Sequence, residues 1–426
     1  MDSSNIYIII YIMAWAITFY YYLRKSSGKI GAGVFIVLTY LIYAIISYFL
    51  YNDDNAGLEF GKMELFPFVY LFLMLLIFLQ PVLQYNEKCI IQHPSRIIMD
   101  SISYLFIISA IIIMPTVIEM ISSGLFLIIT DEAGGEELYF QSHLGIKDTN
   151  SVLFNVFKFT FLFLGDFAIL LIFYYLSLPQ KKKNTWIIYG LFFSIIMLLF
   201  ESFGKGQRTR ATMTFLLLFS TFFLFRDHLS ANIKKRVKQV GFVLSIPVLA
   251  TMLLINNSRF SDSSSGGTYK LLYYIGHANL YFNKYAMDAG GIRYGDRTCN
   301  KFKSFLQFND VPSGIQETRN KYSNMKVSDA SFYTYVGDFC LDFGPTGAAI
   351  LLCSCSVLFT FLTHPRKNKI LFHQLLLVFF VMTICVQGGM YLFYYSFSGN
   401  YTIFIYIILY FVFKFDYDRN TRLKHY

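Results

Sequence analysis

The run IGAGVFIVLTYLIYAIISYFLY, residues 30–51, decides the fold, because it holds 22 residues without one charged side chain. At 1.5 Å per residue a helix of that length spans about 33 Å, enough to cross the hydrocarbon core of a bilayer. A membrane β-barrel strand would alternate apolar and polar residues, and this run does not. Ten further apolar runs flank it, at 6–23, 65–83, 97–118, 152–178, 186–203, 211–225, 240–255, 344–363, 370–386 and 391–413. The expected fold is therefore an all-α polytopic membrane protein with about eleven transmembrane helices. Composition agrees: 55% of residues are hydrophobic and only 15% charged, where a soluble domain carries about a quarter charged. The 47 Phe and 33 Tyr suit lipid-facing surfaces and interfacial belts.

Charge assigns the sides. The net charge of +10 would raise nucleic acid as a partner in a soluble protein, but here the cations sit in short loops between spans and report orientation, so no nucleic acid is expected. Alternate short loops beginning at Arg24, Lys88, Lys181, Arg226 and Arg366, with the C-terminal tail, hold 20 Lys and Arg. The opposing short loops hold five. The N-terminus and the long segment 256–343 are thus expected outside, and the C-terminus in the cytoplasm. Met1-Asp2-Ser3-Ser4-Asn5 lacks the basic start of a signal peptide, so the first run reads as a span. The organisation expected is spans 1–8 in residues 1–255, a large extracytoplasmic loop with amphipathic helices at 256–343, and spans 9–11 with a cytoplasmic tail at 344–426. The six cysteines show no metal-type spacing, and no metal or cofactor is expected; a Cys299–Cys340 disulfide is one pairing that sidedness allows.

Three polar features can carry chemistry. The turn Gly204-Lys205-Gly206-Gln207-Arg208-Thr209-Arg210 breaks the charge rule by placing three cations on the outer side. Guanidinium groups match phosphate oxygens in two-pronged geometry, and glycines let the backbone approach a ligand. Arg259, just past the eighth run, can join Arg208 and Arg210 at one anionic group; plain headgroup contact is the alternative for all of them. Next, Tyr269 to Met287 reads as an amphipathic helix with Tyr273, His277 and Tyr281 at i, i+4 and i+8 on one face. His277 suits general-base work on a hydroxyl, although a lone histidine is more often packed. The tyrosines can stack on sugar rings or pack on the spans. Last, Asp338 and Asp342 stand at i, i+4 and share a helix face, as a base, an orienting group or a structural ion pair. Within the fifth run, Lys158 and Asp166 are expected two turns apart on one helix face.

The combination of about eleven spans, a Gly-x-Arg outer turn (Gly206-Gln207-Arg208), and a large outer loop opening with Arg259 and closing with Asp342-Phe343-Gly344-Pro345-Thr346-Gly347 resembles the Wzy-type O-antigen and capsule repeat-unit polymerases. These are similar in architecture to the O-antigen ligases. The resemblance implies a GT-C-type glycosyltransferase of the bacterial cytoplasmic (inner) membrane. Its donor would be a glycan on undecaprenyl diphosphate, and its acceptor one lipid-diphosphate-linked repeat unit. It implies diphosphate binding by Arg208, Arg210 and Arg259 and acceptor activation by His277; Lys205 of the same turn, and Asp338 and Asp342 as base or orienting groups, are added to that site from the residues themselves. Tyr273 and Tyr281 would meet the sugars. Membrane lipids and a chain-length regulator are the other expected partners. A lipid-linked oligosaccharide flippase and an O-antigen ligase are the competing functions.

Overall fold

The computed structural model describes residues 2–53, 60–130, 151–258, 267–327, 331–365, 368–392, 394 and 399–422. Arg259 lies outside them, and the side chain of Arg208 is likewise not described. Helices dominate, with one pair of three-residue strands among the described residues. Among the described residues, five helices are long and apolar enough to cross a membrane, or six if one bent pair is a single span. Large apolar side chains face outward along them, Ile17 at 63% exposure and Phe361 at 79% among them. A water-facing surface avoids so much contiguous apolar area.

Two compact units make up the chain. The first joins residues 1–92 to 268–426, and the second is 93–267.

In the first unit, α1 (Ser3–Lys25), α2 (Ala32–Tyr51), α3 (Leu65–Phe78) and α4 (Gln80–Leu83) carry the first three apolar runs. Their core is aromatic: the Trp15 ring lies 5.0 Å from Tyr40 and 4.8 Å from Phe72. Strand β1 is Ile90–Gln92. The other unit holds α5 (Arg96–Thr130), α6 (Val152–Phe163), α7 (Gly165–Ser177), α8 (Thr185–Gly204), α9 (Arg208–Phe225) and α10 (Ala231–Ser258). Helix α8 lies along α5 closely enough that a side chain on Gly204 would stand 3.0 Å from the Met120 backbone.

Back in the first unit, α11 (Gly267–Tyr281) continues as a π-turn, Phe282–Ala286. The short helices α12 (Asn300–Phe305) and α13 (Ile315–Lys321) follow. Then come α14 (Thr334–Thr363), strand β2 (Lys369–Leu371), α15 (Phe372–Gln387) and α16 (Gly399–Arg422).

Four sequence expectations change. Residues 152–178 are not one straight helix: α6 and α7 meet at Leu164 with a 61° bend. Lys158 and Asp166 therefore sit on different helices. The fourth run does not stop at 118 but continues as helix through Pro115 to Thr130. The basic stretch after 226 is mostly helical, since α10 starts at Ala231. Finally, α14 begins ten residues before the expected ninth span and breaks at Gly344 (φ 71°, ψ 164°). Pro345 follows the break and cannot donate a backbone N–H to the preceding turn. Cys299 and Cys340 are both free thiols.

Loops of the first unit gather at two ends. At one end Asn52 donates to Asn5 (2.8 Å), Met63 N–H to Ser4 Oγ (3.1 Å), Asn283 to Glu64 O (2.7 Å) and Ser47 to Gly276 O (2.8 Å). At the other, Ala32 N–H donates to Glu87 (2.7 Å), Asn86 to Asn368 (3.2 Å), and β1 pairs in parallel with β2, Ile90 opposite Lys369. Each group is a set that the charge alternation assigns to a single side.

Candidate functional site

The segment Gly291-Ile292-Arg293-Tyr294-Gly295-Asp296-Arg297-Thr298-Cys299-Asn300 is polar, yet six of its ten residues are buried in the first unit. Arg293, Asp296 and Arg297 are 2%, 1% and 8% exposed. Charged side chains are buried to that degree only when paired. The turn is set by Gly295 at φ 79°, where an added methyl group would stand 3.1 Å from the Phe343 ring. Arg293 N–H donates to Leu341 O (3.0 Å), which fastens the segment to the first part of α14.

Asp338 and Asp342 lie on that part of α14, one turn apart as the spacing predicts, and both are buried. Asp338 Oδ2 accepts the Leu392 N–H at 2.6 Å. Asp342 Oδ2 accepts both the N–H and the hydroxyl of Thr298, each at 2.6 Å. Asp342 Oδ1 is buried and has no hydrogen-bond partner among the described residues. The charges of Arg293 and Arg297 act on both carboxylates. Two buried guanidinium groups thus lie within electrostatic reach of two buried carboxylates.

The helix bearing the carboxylates is pinned from below. Thr334 has φ 66°, an uncommon conformation for a β-branched residue, and is fully buried. Its N–H donates to Met390 O (2.7 Å), and Tyr335 N–H to Gly388 O (2.9 Å). A methyl group on Gly388 would come within 2.2 Å of the Tyr335 ring, so the Gln387-Gly388-Gly389 turn requires glycine there. Asn400 is fully buried and ties the far side. It donates to Thr298 O (2.9 Å) and Tyr394 O (2.8 Å) and accepts from Lys301 N–H (3.0 Å).

Beside this cluster stands a second hub on Asp296, which receives Lys303, Lys321 (2.9 Å) and Tyr322 (2.6 Å). Burial alone would raise this carboxyl; the hydrogen bonds from Lys303, Lys321 and Tyr322 outweigh it and hold the group below the usual carboxylate range.

Tyr273, His277 and Tyr281 do share a face of α11. The tyrosine hydroxyls meet at 3.0 Å, and His277 stacks on Tyr273 with ring centroids 4.8 Å apart. His277 is 4% exposed, and both ring nitrogens face backbone groups: Nδ1 lies 2.5 Å from Tyr273 O, and Nε2 accepts the Phe332 N–H at 3.4 Å. With Nδ1–H as donor this is the neutral ring, held as a packing element between aromatic neighbours.

The cationic turn belongs to the second unit. The turn is shorter than expected, only 205–207, so that Arg208 and Arg210 stand in the first turn of α9; Gly206 (φ 62°) closes α8, with Gln207 N–H on Ser202 O and Gly206 N–H on Phe203 O, both 2.9 Å. Lys205 pairs with Glu201 one turn back. Arg210 Nη2 donates to Leu162 O (2.8 Å), a carbonyl exposed by the α6–α7 bend. Two of the four expected diphosphate ligands thus already have partners within their own unit. Among the described residues no group of three or more His, Cys, Asp or Glu could hold a metal ion.

Sequence reading missed Arg293, Arg297, Thr298 and Asn400. A usable signal was present, since Arg293 and Arg297 stand four apart around Gly295 in the long polar segment, the same cation-and-glycine pattern that singled out residues 204–210. The chain matches no protein-family model, no curated protein and no solved structure.

Proposed function

We propose that the chain is a polymerase of the bacterial cytoplasmic membrane. It transfers a growing glycan from undecaprenyl diphosphate to a lipid-diphosphate-linked repeat unit on the outer face. All eleven apolar runs cross the bilayer in this reading, with the N-terminus outside. The observation that carries it is the buried Arg293–Arg297 and Asp338–Asp342 cluster, at the end of the first unit that charge alternation assigns to the outside.

The chemistry needs a base and a cation. Asp342 is fixed through Oδ2 by Thr298, leaving Oδ1 to take the acceptor hydroxyl proton. The freed oxygen attacks the anomeric carbon of the growing chain. The bond from that carbon to the diphosphate breaks, and the electron pair leaves on phosphate. Arg293 and Arg297 stabilise the departing charge, which is the largest contribution to such a step. Because His277 is engaged by backbone through both nitrogens, the base role falls to Asp342 and the histidine positions α11. Lys205, Arg208 and Arg210 belong to the second unit and Arg259 lies outside the described residues, so the diphosphate role in this reading is carried by Arg293 and Arg297.

Asp342→Asn tests this. The amide keeps the shape and an acceptor for Thr298 but cannot take a proton. In proteoliposomes supplied with a lipid-diphosphate oligosaccharide, polymer formation should fall at least about 100-fold, and loss of the buried charge facing Arg293 and Arg297 should also lower the thermal midpoint. Wild-type rates in a folded Asp342→Asn protein would remove Asp342 from the chemistry.

A further inference from the structure

The end of the first unit that carries the charged cluster also carries an apolar tip. Helix α12 ends in Phe305-Leu306-Gln307-Phe308, with Phe305 77%, Leu306 65% and Phe308 58% exposed. This is a fixed structure. Gln307 adopts φ 57°, its N–H donates to Ser304 O (3.1 Å), and Phe308 N–H donates to Lys303 O (3.0 Å), closing the helix in a left-handed cap. Three large apolar groups held outward in one place are costly in water.

Their neighbour identifies what covers them. Phe302 stacks on Phe404 of α16 with centroids 4.2 Å apart, and Phe305 meets the same ring at 6.2 Å. Phe404 belongs to a stripe on α16 spaced at 401, 404, 408, 411 and 415, which is one helix face. Ile408, Phe411 and Phe415 on that face are 60%, 46% and 69% exposed. The tip therefore extends an outward apolar stripe beyond the head of α16. Asn400 bolts the two together through Lys301 N–H and Thr298 O. Lys301 lies over the Tyr401 ring at 5.9 Å, so a cation and a tyrosine ring stand where the stripe meets the tip. Aromatic residues with flanking lysines mark the headgroup level of a bilayer.

We propose that Phe305, Leu306 and Phe308 form an interfacial anchor that inserts into the outer headgroup and upper acyl region of the bilayer that α16 crosses in the eleven-span reading above, on which this inference rests. The occupant is a lipid surface, because one occupant must cover both the tip and the stripe running down α16. Through Asn400 and Thr298 the anchor fixes the height of the buried arginines above the membrane. It stands whether or not the chain is a glycosyltransferase.

The test uses Phe305→Trp and Phe308→Trp, each in the full chain with Trp186→Phe; Trp15, fully buried, stays as a constant background. The proteins are reconstituted in phosphatidylcholine vesicles and in vesicles of the same lipid brominated high on the acyl chains. The added emission should lose more than half its intensity in brominated vesicles and resist acrylamide. Quenching by acrylamide with no effect of bromine would show that the tip faces water. Emission shielded from both would show that protein covers it, either a second copy or another chain. Either result overturns the anchor.

Discussion

At the scale of single residues, buried charge is the dominant cost, and the polar segment handles it in two ways. Asp296 is surrounded by donors, whereas Asp342 keeps one oxygen without a partner among the described residues. The first arrangement predicts a pH dependence. A carboxyl whose folded pKa is lowered adds stability above its unfolded value of about 3.9 and loses it as pH falls through the folded pKa. Thermal stability should accordingly decline below about pH 4, and Asp296→Ala should flatten that decline while costing on the order of 2 kcal/mol at neutral pH. Thermal melts of both proteins across pH 3–7 check this; an unchanged profile would show that the hub carries no stability.

At the scale of elements, the carboxylates are held by joints between helices. Gly388→Ala forces a methyl group against the Tyr335 ring and the Ile384 carbonyl, and should destabilise by about 3 kcal/mol or prevent folding. Folded yield after solubilisation reads this directly. Asn400→Ala strands the carbonyls of Thr298 and Tyr394 and the N–H of Lys301, at roughly 1–3 kcal/mol for each group left unsatisfied. It should also lower activity, because Thr298 orients Asp342. A variant that melts lower but polymerises at full rate would separate the joint from the site. The pairing of Asp338 with Asp342 was legible in the sequence, as was the Tyr273–His277–Tyr281 face, because i, i+4 spacing has one outcome on a helix. Their surroundings were not. Nothing local tells that residues 293–298 fold back on α14, since that contact depends on the Gly344 break and on the left-handed turn at Gly295.

At the scale of the molecule, apolar length and loop charge fixed the helical class and grouped the first unit's loops by end. The pairing of β1 with β2 agrees with that grouping, because it joins the loops after the third and ninth runs. The bend at Leu164 was hidden, because a run of apolar residues scores alike whether straight or broken. Arg210 marks it in the structure: its guanidinium satisfies Leu162 O, and Arg210→Ala should leave the bend less stable by about 1.5–3 kcal/mol. Hydrogen exchange at residues 160–166 should then rise; unchanged exchange would show that the contact is incidental.

The most direct measurement supplies wild-type protein in proteoliposomes with one lipid-diphosphate-linked repeat unit and follows products by size. A polymerase yields a ladder spaced by single repeat units, with one undecaprenyl diphosphate released per bond formed. Transport of intact substrate without bond formation, or no product longer than the substrate, would contradict the proposed activity.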